Sequence, residues 1–249
     1  MNNKIKNFIK AQYEKENAWC ISEDPNAFWL IMEKEIVSKY YPDNLGKVLD
    51  LGVGRGRYLD ILGPKSDMIL ALDISSKMLE NIRKKYKNRK IYLVQGDCDF
   101  LPFKSETFDL INAIQIIGHS ENIHNFLDEV YRVSKRDGTL ILSTGNNLSI
   151  FNLFDRFRKI YKHIFFNKNK SNLLKFFSND RKFWLMYHGH CRDTFFSLKR
   201  NLERKKFKII SVEGVGFLRP FTYRTIEKFI NFGPFKYLGS LIILVCKKV

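Results

Sequence analysis

Lys47-Val48-Leu49-Asp50-Leu51-Gly52-Val53-Gly54-Arg55-Gly56-Arg57-Tyr58-Leu59-Asp60-Ile61-Leu62 decides the fold. A short apolar run meets an acid, then three glycines at every second position, then a new apolar pattern. The run reads as a strand, Lys47–Leu51, and the pattern after it as a helix from about Arg57. Glycines at a strand-to-helix turn permit unusual φ/ψ and let a ligand approach the main chain. At the carboxyl end of a first strand, such a turn lies where open α/β sheets bind ligands. The dinucleotide fingerprint G-x-G-x-x-G is not met, because the third glycine comes one place early and position 57 is Arg. Asp50 inside the loop suits a ligand with a cationic ammonium end better than a pyrophosphate.

Outward from this turn, short apolar strands alternate with helical stretches. The pattern predicts strands at Met68–Leu72, Ile91–Gln95, Phe108–Ala113 and Thr139–Ser143, with helices at Ser76–Tyr86 and Ile123–Val133. Lys135-Arg136-Asp137-Gly138 reads as a turn. Upstream, Asp24-Pro25 reads as an N-cap and first helical residue, opening a helix that runs to Pro42. After Thr144 the alternation stops. It resumes with a helix at Thr194–Lys205 and strands at Lys208–Glu213 and Ser240–Lys247. The expected fold class is α/β: a Rossmann-like, seven-stranded, mostly parallel sheet with helices on both faces and a helical insert after strand 5. The expected domains are an N-terminal helical cap (1–41), the core (42–146), a basic and aromatic insert or lid (147–193) and a C-terminal completion of the sheet (194–249).

Three further strand ends carry suitable chemistry. In Leu72-Asp73-Ile74-Ser75, Asp73 ends strand 2, where an acid can accept both hydroxyls of a ribose. In Gln95-Gly96-Asp97-Cys98, Asp97 can accept from the amino group of an adenine while Cys98 packs beside the ring. Strand 4 ends near the small and polar residues between Asn112 and Ser120.

The segments VLDLGVGRGRYL, ALDISSKML, VQGDCDFLPFKSETFDLI and EVYRVSKRDGTLILST together resemble the successive motifs of class I S-adenosylmethionine (SAM)-dependent methyltransferases. They are most similar to the type 11 group, which includes quinone-biosynthesis enzymes. The resemblance covers residues 45–146 closely and 190–249 loosely. It implies SAM as cofactor, with Gly52, Gly54 and Gly56 making room for the methionine part and Asp50 holding the loop or the ammonium. It places Asp73, with Ile74 beside it, at the ribose and Asp97 and Cys98 around the adenine. Asn112 and Gln115 would line the sulfonium end. Arg136-Asp137-Gly138 stands where the family often has Pro-Gly-Gly, and Val53 replaces a commoner Cys or Ala.

Methyl transfer from a sulfonium is an in-line displacement with an activated leaving group. Alignment and exclusion of water can supply about 7–11 kcal/mol of the barrier. A base is needed only when the acceptor must lose a proton. His119, just after strand 4, is the first candidate; Tyr187, His188 and His190 form the second group. The H-x-H pair at 188–190 has no evident third ligand, so no metal site is expected. Four widely spaced cysteines fit a reduced, cytoplasmic protein. The N-terminal MNNKIKNFIKAQYEKEN shows no apolar leader region.

The net charge of +17 is segregated: residues 1–150 carry 21 Lys and Arg against 20 Asp and Glu, and residues 151–249 carry 22 against 6. A basic half suggests an anionic partner. Ile150–Phe166 reads as a basic amphipathic helix, and Leu173–Tyr187 repeats the mix of aromatics and cations. Stretch 150–187 can act as a lid, lie peripherally on an anionic membrane, or hold RNA. The expected acceptor is a small molecule or a lipid- or glycan-linked group, methylated at oxygen. The alternatives are a tRNA-modifying methyltransferase and a SAM-binding partner protein without turnover.

Overall fold

In the computed structural model, the described residues are 4–14, 28–87, 90–146, 148–149, 194–216 and 237–249. Seven strands form one sheet: β1 Lys47–Leu51, β2 Met68–Asp73, β3 Ile91–Gln95, β4 Phe108–Ile114, β5 Ser134–Gly145, β6 Phe207–Val215 and β7 Leu241–Lys248. Their order is β3-β2-β1-β4-β5-β7-β6. All neighbours from β3 to β5 pair parallel, and β7 runs antiparallel to both β5 and β6. The chain leaves β1 first towards β2 and β3, then returns to place β4 and β5 on its other side. That reversal opens a crevice between β1 and β4 at their carboxyl ends.

Alternation along the strands explains why both faces are covered. Val48, Leu110 and Ile114 point to a core shared with Val37, Leu59, Leu62, Leu79 and Ile82. These belong to α2 (Phe28–Ser38), α3 (Leu59–Lys65) and α4 (Ser76–Lys85). Leu49, Leu51, Ile111 and Ala113 point the other way, to Phe126, Leu127, Val130, Leu198 and Leu202. Those lie on α5 (Ile123–Val133) and α6 (Phe195–Arg204). A period of two on each strand meets a helix stripe on each side. A further helix, α1 (Lys4–Tyr13), precedes this core.

The expected strands and helices stand, with informative shifts at their ends. Helix α3 begins at Leu59 rather than Arg57, because Gly56-Arg57-Tyr58 are spent on the turn that brings the Gly56 N–H to the Val53 carbonyl at 2.8 Å. Strand β5 starts at Ser134, since Phe108 already pairs with it. The expected turn at Lys135–Gly138 is a break in register inside that strand, with Asp137 left-handed at φ 58°. The Asp24-Pro25 helix start, the amphipathic segments at 150–166 and 173–187, and Tyr187, His188 and His190 lie outside the described residues. Among the described residues, no helix is long and apolar enough to cross a membrane.

Candidate active site

The β1–α3 turn builds the floor of the crevice. Gly52, Gly54 and Gly56 all sit in the left-handed region, at φ 74°, 51° and 76°. Their reasons differ. A Cβ on Gly56 would stand 2.6 Å from Ile82 Cδ1, and one on Gly52 2.6 Å from Ile116 Cδ1, so these two permit close packing of the turn. A Cβ on Gly54 would meet nothing nearer than 4.0 Å. Only there does bare backbone face open space, as a ligand laid against the loop requires.

Asp73 ties this loop to β2. Its Oδ2 accepts the Gly54 N–H at 2.8 Å, and its Oδ1 accepts the Ser75 N–H at 2.9 Å. Burial pushes the Asp73 carboxyl up, and these backbone donors partly oppose that. An ionised carboxylate has about four lone-pair directions. Backbone donors of Gly54, Ser75 and Ile74 engage it, and its remaining acceptor capacity suits ribose hydroxyls. Ile74 lies half-buried beside it, its carbonyl accepting from Gln95 Nε2 at 3.2 Å.

Asp50, near the end of β1, is buried. Asn112 Nδ2 donates to its Oδ1 at 2.8 Å, and the Tyr41 hydroxyl donates to Asn112 Oδ1 at 2.6 Å. Burial pushes the Asp50 carboxyl up to about 6, against the pull of Asn112 and Arg57. Asn112 is thus fully buried and acts by orienting Asp50. Gln115 ends β4 with φ 61°, its N–H on the Ser143 carbonyl at 3.0 Å. Left-handed backbone at a non-glycine residue concentrates at functional sites.

The nucleoside side is formed after β3. Cys98 is buried in the core, and its thiol is pushed well up by that burial and by Asp99 and Asp97. Asp97, Cys98 and Asp99 bring ligand atoms within 4.8 Å of one another. The Lys6 ammonium ion-pairs with both carboxylates, at 2.7 Å from Asp99 Oδ2, so their charge is matched from within the chain. Asp99 also accepts the Glu121 N–H at 3.0 Å and the Ser120 hydroxyl, fixing the loop after β4. His119 stands in that loop, in a 3-10 turn at Ile117–His119, its ring edge-on to Tyr13 at 5.9 Å.

Several members of the site went unread in the sequence. Helix α1 reaches across the mouth: Lys6 holds the β3 side, while Glu14 Oε1 accepts the Ser76 N–H at 2.9 Å on the β2 side. Helix α2 brings Glu33, fully buried, onto Arg57, Gln115 and Ser143. Glu33 had a visible signal. It falls on the stripe of Leu30, Val37 and Tyr41 at helical spacing, so an acid there is aimed into the protein. No local pattern marks Lys6 or Glu14.

Residues 49–142 match a family described as a methyltransferase domain. These residues form a class I SAM-dependent methyltransferase domain of the type 11 group. Along nearly its whole length the chain is also similar to an uncharacterized protein of Methanocaldococcus jannaschii, MJ1252. The two are 29% identical over 97% of this chain and 91% of that one. A malonyl-[acyl-carrier protein] O-methyltransferase of Legionella pneumophila is 38% identical over 39% of this chain and 36% of its own length. The fold is shared with the N-methyltransferase NodS of Bradyrhizobium japonicum, solved with S-adenosyl-L-homocysteine (SAH). That superposition has a TM-score of 0.63, covers 98% of both chains and runs at 10% identity. SAM is the cofactor of this methyltransferase, and the crevice fits it. Gly54 offers open backbone, and Asp73, Asp97 and Asp50 are the carboxylates that would meet the ribose, the adenine and the ammonium. When bound, SAM supplies the methyl group on a sulfonium; the residues around it bind, orient and exclude water.

Proposed function

We propose that the enzyme methylates an oxygen of a small-molecule or lipid- or glycan-linked acceptor. The observation that carries the reading is the placement of His119. It sits shortly after β4, in the loop that Asp99 fixes, with its ring edge-on to Tyr13. An imidazole there can take a proton from a hydroxyl as the methyl group transfers. An acceptor that is already an anion needs no such help, and His119 then orients it. The O-methyltransferase relative supports oxygen as the acceptor atom. The same loop, with Gln115, would face the sulfonium, while Asp50, Asp73, Ile74, Asp97 and Cys98 hold the rest of the cofactor.

Tritiated methyl transfer from SAM into separated small-molecule, lipid and RNA pools tests this. Label in the first two, lost on base hydrolysis if it rests in an ester, is the expected result. His119→Ala should lower turnover at least tenfold while SAM affinity stays within about twofold. Turnover within about twofold of wild type would remove His119 from the chemistry.

A second reading rests on the charge of residues 151–249, net +16. An RNA substrate would bind with an affinity that falls linearly in log salt. An anionic membrane would instead leave a salt-resistant apolar remainder. A tRNA shift assay and liposome cosedimentation, each run across salt, separate the two.

A further inference from the structure

Glu33 is a charged side chain placed where water does not reach: its Oε1 is hydrogen-bonded, and its Oε2 has an ion-pair partner but no hydrogen bond. Its Oε1 accepts from Ser143 Oγ at 2.6 Å and Gln115 Nε2 at 2.9 Å. Its Oε2 lies 2.8 Å from Arg57 Nη2. Removing water from a carboxylate costs several kcal/mol unless partners replace it, and replacing such a pair with apolar residues is often neutral or stabilising. Stability alone therefore gives weak grounds for this arrangement. From α2 it gathers partners from three other places: the glycine turn, the residue after β4 and the end of β5.

The pair fixes one cation. The Arg57 guanidinium lies over the Tyr58 ring at 4.9 Å from its centroid, while Glu33 holds Nη2. The ring and the carboxylate together confine the group, and a guanidinium carries five donors. Arg57 follows Gly56 directly, and it lies close enough to Asp50 to favour that carboxylate's ionised form. A buried acid and a partly exposed guanidinium thus flank the glycine turn in the chain and feel each other's charge. The amino-acid end of SAM presents the complementary charges, one ammonium and one carboxylate.

We propose that Arg57, oriented by Glu33, receives the carboxylate of the cofactor's amino-acid end, and that Glu33 is the positioning residue for that contact. This rests on the reading that the glycine turn binds the methionine part of SAM. The side chain of Arg57 is 19% exposed, so a ligand can reach it, whereas Glu33 is sealed and reaches this contact only through it. Preorganising a donor fork in this way lowers the ordering cost of binding.

The test compares two probes by calorimetry: SAH, which has the amino-acid end, and 5′-methylthioadenosine, which lacks it. Glu33→Gln should lower SAH affinity tenfold or more and leave methylthioadenosine affinity within twofold. Arg57→Gln, at a partly exposed position where folding is less at stake, should do the same. The double variant should be no weaker than the worse single one, because both act on one contact. Parallel losses for the two probes, or unchanged SAH affinity in Arg57→Gln, would overturn the assignment. Wild-type protein that binds neither probe would overturn the cofactor reading itself, which separates the two failures.

Discussion

At the scale of single residues, the crevice holds acids at an electrostatic cost, and that cost is measurable. Asp50 sits at about 6 in the folded chain because burial disfavours its charge. An acid raised on folding binds its proton more tightly in the folded state. The folded protein is therefore favoured at low pH, and stability falls as pH rises from about 4 to about 6. Asp50→Asn should consequently stabilise the unliganded protein at pH 7.5 by roughly 2–3 kcal/mol. The gain should vanish near pH 4, as urea unfolding at both pH values would show. The same change should weaken SAM binding at pH 7.5, and wild-type affinity should itself fall as pH drops through about 6. Asp73 acts differently, since it holds both the loop and a ribose. Asp73→Ala should weaken SAH binding more than tenfold, each charge-assisted bond being worth about 1.5–3 kcal/mol. Wild-type affinity by calorimetry would refute its role. Asp50, Asp73 and Asp97 were legible because each lies at or close to the carboxyl end of a strand. Lys6 was not, and of Glu33 only the inward aim was, since their partners lie far along the chain: Glu33 reaches Ser143, 110 residues on, and Lys6 reaches Asp97, 91 residues on.

At the scale of elements, the reading succeeded wherever a local signal sets a boundary. Thr194 caps α6, accepting the Ser197 N–H at 3.2 Å while Ser197 Oγ accepts the Thr194 N–H at 3.1 Å. That reciprocal pair explains why the helix starts where the sequence placed it. Thr194→Ala should cost about 1 kcal/mol in urea unfolding, without changing SAH affinity. Where tertiary contact sets the boundary, the reading slipped. The start of β5 depends on Phe108 meeting Ser134, and the start of α3 on the tight turn at Gly56. Gly56→Ala should therefore be harmful beyond its backbone strain, because its Cβ would be driven into Ile82 and Leu59. Folding yield and thermal stability should both drop. Gly54→Ala, with open space around its Cβ, should spare the fold more and reduce SAH affinity.

At the scale of the whole molecule, binding and folding are linked through the crevice, because its parts come from α1, α2 and five strands. A ligand at a hundred times its Kd adds about 2.7 kcal/mol to stability. In a chain of this size that raises Tm by roughly 5–10 °C, and saturating SAH should show it in a thermal scan; no shift would mean that SAH does not bind the folded state. The sheet as a class was legible because its parallel half repeats one local grammar of strand, turn and helix. The antiparallel placement of β7 was not, since nothing near Leu241 in the sequence names β5 and β6 as neighbours. That placement has a consequence for synthesis on the ribosome. Strand β7 fills the slot between β5 and β6, yet 95 residues separate the end of β5 at Gly145 from Leu241. At about 5–20 residues per second, this stretch takes roughly 5–20 s to emerge. Throughout that interval the nascent chain carries β5 without β7 on its edge, and β6 arrives before the strand it pairs with. Cotranslational vulnerability to aggregation should concentrate there, and slower elongation through residues 146–240 should lower soluble yield.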